Sequence, residues 1–398
     1  MSASANNVSF LAALETAYAE TPDQTQTFQR LPFTSDSLKP VKETNESETI
    51  NPDRTSNKSL LSFKGVTGSS EHELDLVNYQ GLLQSLFQRS IVATISIAGE
   101  TGAIAEAAET FTAASGTPFA AFVSGIRPRY LRITGAATSA NNGVKRLVSA
   151  TSTVLTFASG SFTTDEAAPS LTFTNTRIEN GSSRRSYLVE KQWGDTTDKH
   201  NYTGMNIMQG TISITAREPV TLSLEWTGSK YAVGFGGTDS ASAGDGSPTE
   251  PTAAPIITAS NNVATILKGG SAIGACVKSI ELNPNNNMRD EPCVGQLNSV
   301  STPVNGEFQL TGTIELLFED SDLVKEFDAH TDFELVIPIE DSDGRYYAFV
   351  LPRVTLDEAD IPTEGRNTSV MQTYSFSTSA GTAVTGNYQA AIEVLTDI

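Results

Sequence analysis

Much of the chain alternates apolar and polar residues with a period of two, the pattern of strands that wet one face and bury the other. Glu71, Glu73 and Asp75 alternate with Leu74 and Leu76, which predicts a strand running to Leu76. Asn78 is then placed to cap a helix whose face carries Leu82, Leu83, Leu86 and Phe87 at helical spacing. Further strands are predicted at 130–134, 187–193, 203–209, 211–216 and 220–226, and again through 262–379, with one helix at 320–328. One more strand is expected beyond Ala380. Near the start, Ser9 could cap a short helix through Phe10, Leu11 and Leu14, and Pro22 and Pro32 stop anything longer.

Breaks in the alternation organise the chain. Residues 1–35 read as an arm, partly extended. Residues 39–59 and 284–303 read as long polar loops, and long loops in compact β-proteins tend to carry function. The stretch 93–185 is rich in Ala, Thr, Ser and Gly and has strand signals of its own, with Asn142-Gly143 as a hairpin turn. Residues 238–261, mostly Gly, Ser, Ala, Pro, Thr and acids, read as a linker.

A duplication flanks that linker. Thr67-Gly68, a strand and a leucine-bearing helix recur as Thr311-Gly312, a strand and a second capped helix. The segment 187–193 aligns with 334–340, 202–208 with 349–356, and 225–229 with 375–379. The first copy carries about 90 extra residues between helix and next strand, as an insertion at a loop tip would. The expected organisation is an arm (1–35), a first module (36–92 with 186–237), an inserted β-domain (93–185), a linker (238–261) and a second module (262–398).

Charge narrows the function. Lys and Arg total 26 against 46 Asp and Glu, a formal net charge of -20. A phosphate-holding surface needs the opposite sign. Composition alone leaves two readings open: simple solubility, or a surface that DNA must pass without sticking. No stretch approaches the ~20 apolar residues of a membrane helix. Met1 to Asn7 lack the basic residues of a secretory leader, so folding in a cytoplasm is expected. Cys276 and Cys293 are the only cysteines and read as two reduced thiols.

Little in the chain points to catalysis. His72, His200 and His330 are scattered, with no metal-ligand spacing. Asp341-Ser342-Asp343-Gly344 lacks the acidic register of a calcium loop and reads as a hairpin turn. Arg127, Arg129 and Tyr130 form a small basic-aromatic cluster, read as a strand end. There is no G-x-S-x-G and no P-loop. No enzyme and no cofactor are expected.

Several stretches resemble the tail tube proteins of long-tailed bacteriophages with non-contractile tails. They are the tract from Glu15 to Pro22, the Asp53-Arg54 step, the "RSYLVEKQW" strand from Arg185, the Gly204-Met205 step and "LNPNNNMRDEPCVG" from Leu282. The insert departs from that pattern. The resemblance implies an all-β fold: two tandem sandwich or barrel modules, each flanked by a helix. It also implies rings stacked into a tube that passes the tape-measure protein and then double-stranded DNA. Two modules per chain imply homotrimeric rings of pseudo-sixfold symmetry. Other implied partners are the tail terminator and tail tip proteins, with no membrane; the place is the virion tail, assembled in the host cytoplasm. If the acidic strand face lines the lumen, Glu71, Glu73, Asp75 and Glu315 are its candidates. Lys42, Glu46, Asp53, Arg54, Asn286, Arg289 and Asp290 are candidates for contact with the next ring. The rival classes are a tail terminator or decoration protein, and a β-rich surface adhesin.

Overall fold

The computed structural model describes residues 4–49, 53, 57–124, 127–291, 293–298, 303–363, 365–366, 368–382 and 388–395. The chain is almost all β. Its first part comprises β1 (Val8–Leu14), β2 (Gln29–Leu31), β3 (Ser35–Asp36), β4 (Lys39–Asn45), β5 (Leu60–Glu73) and α1 (Gln80–Leu86). Then come β6 (Val92–Ala105), β7 (Thr110–Ala113), α2 (Ala120–Ser124), β8 (Tyr130–Thr134), β9 (Gly143–Ala150), β10 (Val154–Phe157) and β11 (Ser170–Glu179). β12 (Tyr187–Trp193), β13 (Lys199–Thr215), β14 (Thr221–Gly228), β15 (Lys230–Val233) and α3 (Ala259–Asn262) follow. The last part holds β16 (Leu267–Lys268), β17 (Ser271–Ala272), β18 (Val277–Asn285), β19 (Gln309–Leu317), α4 (Asp322–Ala329), β20 (Phe333–Glu340), β21 (Tyr346–Asp360), β22 (Met371–Thr378) and β23 (Ala391–Leu395).

One sheet runs through both halves of the chain. Its eight strands lie in the order β4, β5, β14, β13, β18, β19, β22, β21, all antiparallel. Within it, β14 and β19 alternate along their whole length. On β14, Leu222, Leu224 and Trp226 point inward, while Thr221, Ser223 and Glu225 point out. The inward face builds a core shared by both halves, with Trp226, Leu282, Ile314 and Phe376 in one cluster beneath α1. Burying such side chains stabilises by about 1.5–3 kcal/mol each.

The two halves use the same pairings. β12, β13, β14 and β15 relate to one another as β20, β21, β22 and β23 do. Trp226 stands opposite Ile207 and Gly68, as Phe376 stands opposite Leu356 and Gly312. Both long strands break register just past that point, leaving Met208 and Asp357 as the bulged residues. The pairing also corrects one alignment. Tyr187 opposes Met205 as Phe333 opposes Val354, each followed by a register shift, so Tyr187 corresponds to Phe333 and not to Glu334. A slip of one residue would exchange the faces of the strand.

The strands from β6 to β11 close on themselves. The order β11, β6, β7, β10, β9, β8 and back to β11 makes a six-stranded barrel. Phe111, Phe119 and Phe173 fill it, with ring centroids 5.1–6.0 Å apart. Beyond the barrel, Thr176–Glu179 of β11 pair with β23, which also pairs with β21. The barrel is thereby stitched to the second half of the chain.

Several local expectations change. Residues 8–14 form β1 rather than a helix from Ser9, because Phe10 to Ala13 are buried consecutively against β12 and β2. The strand before α1 stops at Glu73, and Tyr79, not Asn78, precedes the helix. The segments 203–209 and 211–216 are parts of one strand, β13. Asn142-Gly143 closes a longer loop containing a 3-10 turn and does not form a two-residue turn. Much of 39–59 is β4, paired to β5. Part of 238–261 is a packed strap: Ser242 and Ala243 are buried where Ala243 N (2.7 Å) and Ser242 Oγ (3.0 Å) donate to the buried Glu190 carboxylate. A buried carboxylate needs such donors, and the small residues of the strap let its backbone approach.

Candidate functional site: a polar sheet face and a hairpin end

The outer face of the eight-stranded sheet is the most extensive functional candidate. Reading across it, Glu73 opposes Thr221, Thr221 opposes Ser213, and Ser213 opposes Glu281. Glu281 opposes Thr313, Thr313 opposes Ser375, and Ser375 opposes Glu358. Every position in this row is Ser, Thr or Glu. Glu225 and Asp360 extend the acidic set, and Lys39 on β4 is the cation at its margin. Leu317 and Met371 oppose each other at one end, where the polar pattern stops.

Two Ser–Glu pairs repeat in this face. Ser35 Oγ donates to Glu71 Oε2 at 2.8 Å, and Ser279 Oγ donates to Glu315 Oε2 at 3.2 Å. Ser35 opposes Glu71 across β3–β5, and Ser279 opposes Glu315 across β18–β19. Glu71 is exposed; Glu73 and Glu315 are half-buried.

Asp75 does not belong to this face. It lies past the end of β5 and is buried, because its carboxylate accepts from the backbone N–H of Val77 (2.8 Å) and of Asn78 (2.6 Å) and from Asn78 Nδ2 (2.8 Å). It organises the turn into α1. Glu225, Glu281, Glu358 and Asp360 stand on the face but were not among the sequence candidates. Glu225 and Glu281 sit on the polar phase of alternating strands, whereas the bulge at Asp357 turns Glu358 and Asp360 onto the face, which no pattern along the chain shows.

The loop candidates divide. Lys42 is an exposed residue of β4, and Glu46 and Asp53 are exposed beyond that strand. Arg54 lies outside the described residues. Arg289 and Asp290 are exposed, and the Arg289 backbone pairs with Val304. Asn286 is buried. Its Nδ2 donates to Leu86 O (3.0 Å) and its N–H to Met208 O (2.9 Å), so it ties β18 to α1 and β13 and is not a loop tip. The segment after Asn286 returns to the β4–β5 hairpin: Lys64 N donates to Leu297 O at 2.7 Å, and Asn298 Nδ2 to Ser229 O at 2.7 Å. Both long connections therefore meet at one end of the molecule, around a cleft lined by Val41, Glu43, Asn45, Asp290 and Pro303.

Among the described residues no group of three or more His, Cys, Asp or Glu could hold a metal ion. No described helix is long and apolar enough to cross a membrane. His72 is buried with Nδ1 2.7 Å from Pro32 O and Nε2 2.9 Å from Ser70 Oγ, and burial lowers its pKa. It is a core residue. Cys276 and Cys293 are exposed free thiols. Arg129 is mostly buried: its guanidinium pairs with Glu334, and its backbone N–H and that of Tyr130 donate to the Glu393 carboxylate at 2.7 and 2.9 Å. The basic-aromatic cluster thus belongs to the seam that holds the barrel.

An all-β chain whose two halves repeat the same strand pairings and share one extended polar sheet face has the features of a structural assembly protein. The chain belongs to the phage tail tube protein family, whose model matches residues 5–378. It is therefore a structural component of a bacteriophage tail, a family of self-assembling proteins rather than enzymes. No curated protein matches.

Proposed function

We propose that the chain forms trimeric rings that stack into the tube of a long non-contractile tail, with the polar face of the eight-stranded sheet lining the lumen. The observation that carries this reading is the continuity of that face across both halves, with carboxylates on β5, β14, β18, β19 and β21. A hydroxyl- and carboxylate-lined wall repels the phosphate backbone, so DNA slides instead of binding. The tape-measure protein occupies the lumen first, terminator and tip proteins close the tube's ends, and assembly takes place in the host cytoplasm. The duplicated pairings support two equivalent modules (36–92 with 186–237, and 262–398) and pseudo-sixfold rings. The barrel stands as an insertion within 93–185. The hairpin end, with Glu46, Asp53, Arg289 and Asp290, reaches the next ring.

Negative-stain imaging of purified protein tests the assembly: rings or tubes with a central hole are expected, and permanently monomeric protein would refute the reading. Lumen identity is tested by Glu71→Lys with Glu73→Lys. Tubes should still form, and DNA delivery should fall; unchanged infectivity would remove these residues from the lumen. Deleting 46–58 spares β4, so rings should persist while stacking fails.

A further inference from the structure

The internal joint between β13 and β18 is a template for a joint the chain leaves open. Its two equivalents are separated: β21 corresponds to β13, and β3–β4 correspond to β18. On the side away from β22, residues 358–360 have no strand partner among the described residues, and β4 pairs only with β5. The correspondence of β4 with β18 rests on two features besides the repeated Ser–Glu pair. Lys39 opposes Thr67 as Asn283 opposes Thr311, and Pro40 sits where β18 carries Pro284. Pro284 is accommodated inside the internal joint, so the missing N–H of Pro40 is no obstacle to an equivalent one.

We propose that neighbouring copies join by pairing β21 of one chain with β4 of the next in the register of β13 with β18, and that Asp360 and Lys39 form an ion pair across that joint. The inference rests on the ring reading above. In the internal joint Thr211 Oγ1 donates to Asn283 Oδ1 at 2.8 Å. Thr211 corresponds to Asp360 and Asn283 to Lys39, so the neutral pair inside the chain becomes a charged pair between chains. Met208 O accepts from Asn286 N at 2.9 Å, and their equivalents are Asp357 and Lys42, a second acid opposite a second base. Lys39, Lys42, Asp357 and Asp360 are exposed and make no ion pair within the described chain.

The charges also set direction. Two β4 edges repel each other, as do two β21 edges, and charged edges resist uncontrolled strand pairing. Head-to-tail contact sets Lys39 and Lys42 against Asp360 and Asp357, and head-to-tail contacts make rings when the rotation closes.

The test replaces Cys276 and Cys293 by Ser, then introduces Lys39→Cys with Asp360→Cys. Opposed strand residues lie within disulfide reach. Oxidation should yield covalent multimers ending at a closed trimer on non-reducing gels, with little cross-linking for Lys39→Cys with Glu358→Cys. In parallel, Asp360→Lys alone should abolish rings, and Asp360→Lys with Lys39→Asp should restore them; circular dichroism confirms folding of each. Wild-type rings with cross-linking at Glu358 instead, or full assembly of Asp360→Lys, would overturn the register. Wild-type protein that forms no rings would overturn the ring reading itself.

Discussion

The barrel of β6–β11 and the eight-stranded sheet solve the edge problem of β-structure in opposite ways. In the barrel every strand has a neighbour on both sides, and an aromatic cluster fills the interior. The sheet has the larger core but ends in two strands with unused edges. Closure makes the barrel self-sufficient. The open sheet leaves backbone groups of β4 and of residues 358–360 without a strand partner among the described residues, and the proposed joint uses them. One chain thus carries a finished unit and an unfinished one, and the difference between them is the capacity to assemble.

The comparison breaks most visibly if core damage in one region reaches the other. Phe111 is fully buried in the barrel, so Phe111→Ala should cost about 3–5 kcal/mol there. Calorimetry should show a barrel transition at lower temperature while tubes still form on electron microscopy grids. Loss of tubes would mean that the two regions are one cooperative unit. In the sheet, a Cβ on Gly312 would meet Glu281 O and the Phe376 ring at 2.4 Å each. Gly312→Ala should therefore cost about 1–3 kcal/mol and, unlike the barrel variant, reduce ring yield.

The seam between the regions gives a pH dependence. Burial lifts the fully buried Glu393 carboxyl from 4.5 to about 7, although two backbone N–H groups and Arg129 oppose the shift. Between those values the folded chain holds a proton that the unfolded chain has lost, so the stabilisation present at low pH declines as pH rises through about 7. Glu393→Gln should flatten that decline, read as the difference in melting temperature between pH 5 and pH 8; an equal slope in both proteins would remove Glu393 as its source. Smallest of all, Glu71→Lys should change stability by no more than ~0.5 kcal/mol, since the residue is exposed on a strand surface.

The all-β class and the recurring Thr-Gly strand were legible because alternation and a small residue opposite an aromatic are local patterns. Gly312 is small because Phe376 lies across it, and the chain displays both residues. The failures were non-local. A helix at Ser9 fits the local spacing, but pairing with β12 overrides it. Asp75 continues an alternation that the fold ends two residues earlier, at Glu73. Asn286 looks like a loop residue until α1 supplies a buried carbonyl for its amide. The row of acids across the sheet was hidden for the same reason: adjacency between Glu281 and Ser213 is created by pairing and is invisible along the chain.

The strand that stitches the barrel to the second half also orders events in time. β11 is complete at residue 179, but its partner β23 begins at residue 391. At typical synthesis rates the intervening residues take ~10–40 s to make. During that interval the barrel can close, while Arg129 and Tyr130 wait for the carboxylate of Glu393. The seam therefore works as a late latch: a nascent chain joins its barrel to its second half only after residue 391 has been synthesised, so a half-made subunit is poorly shaped to enter a tube.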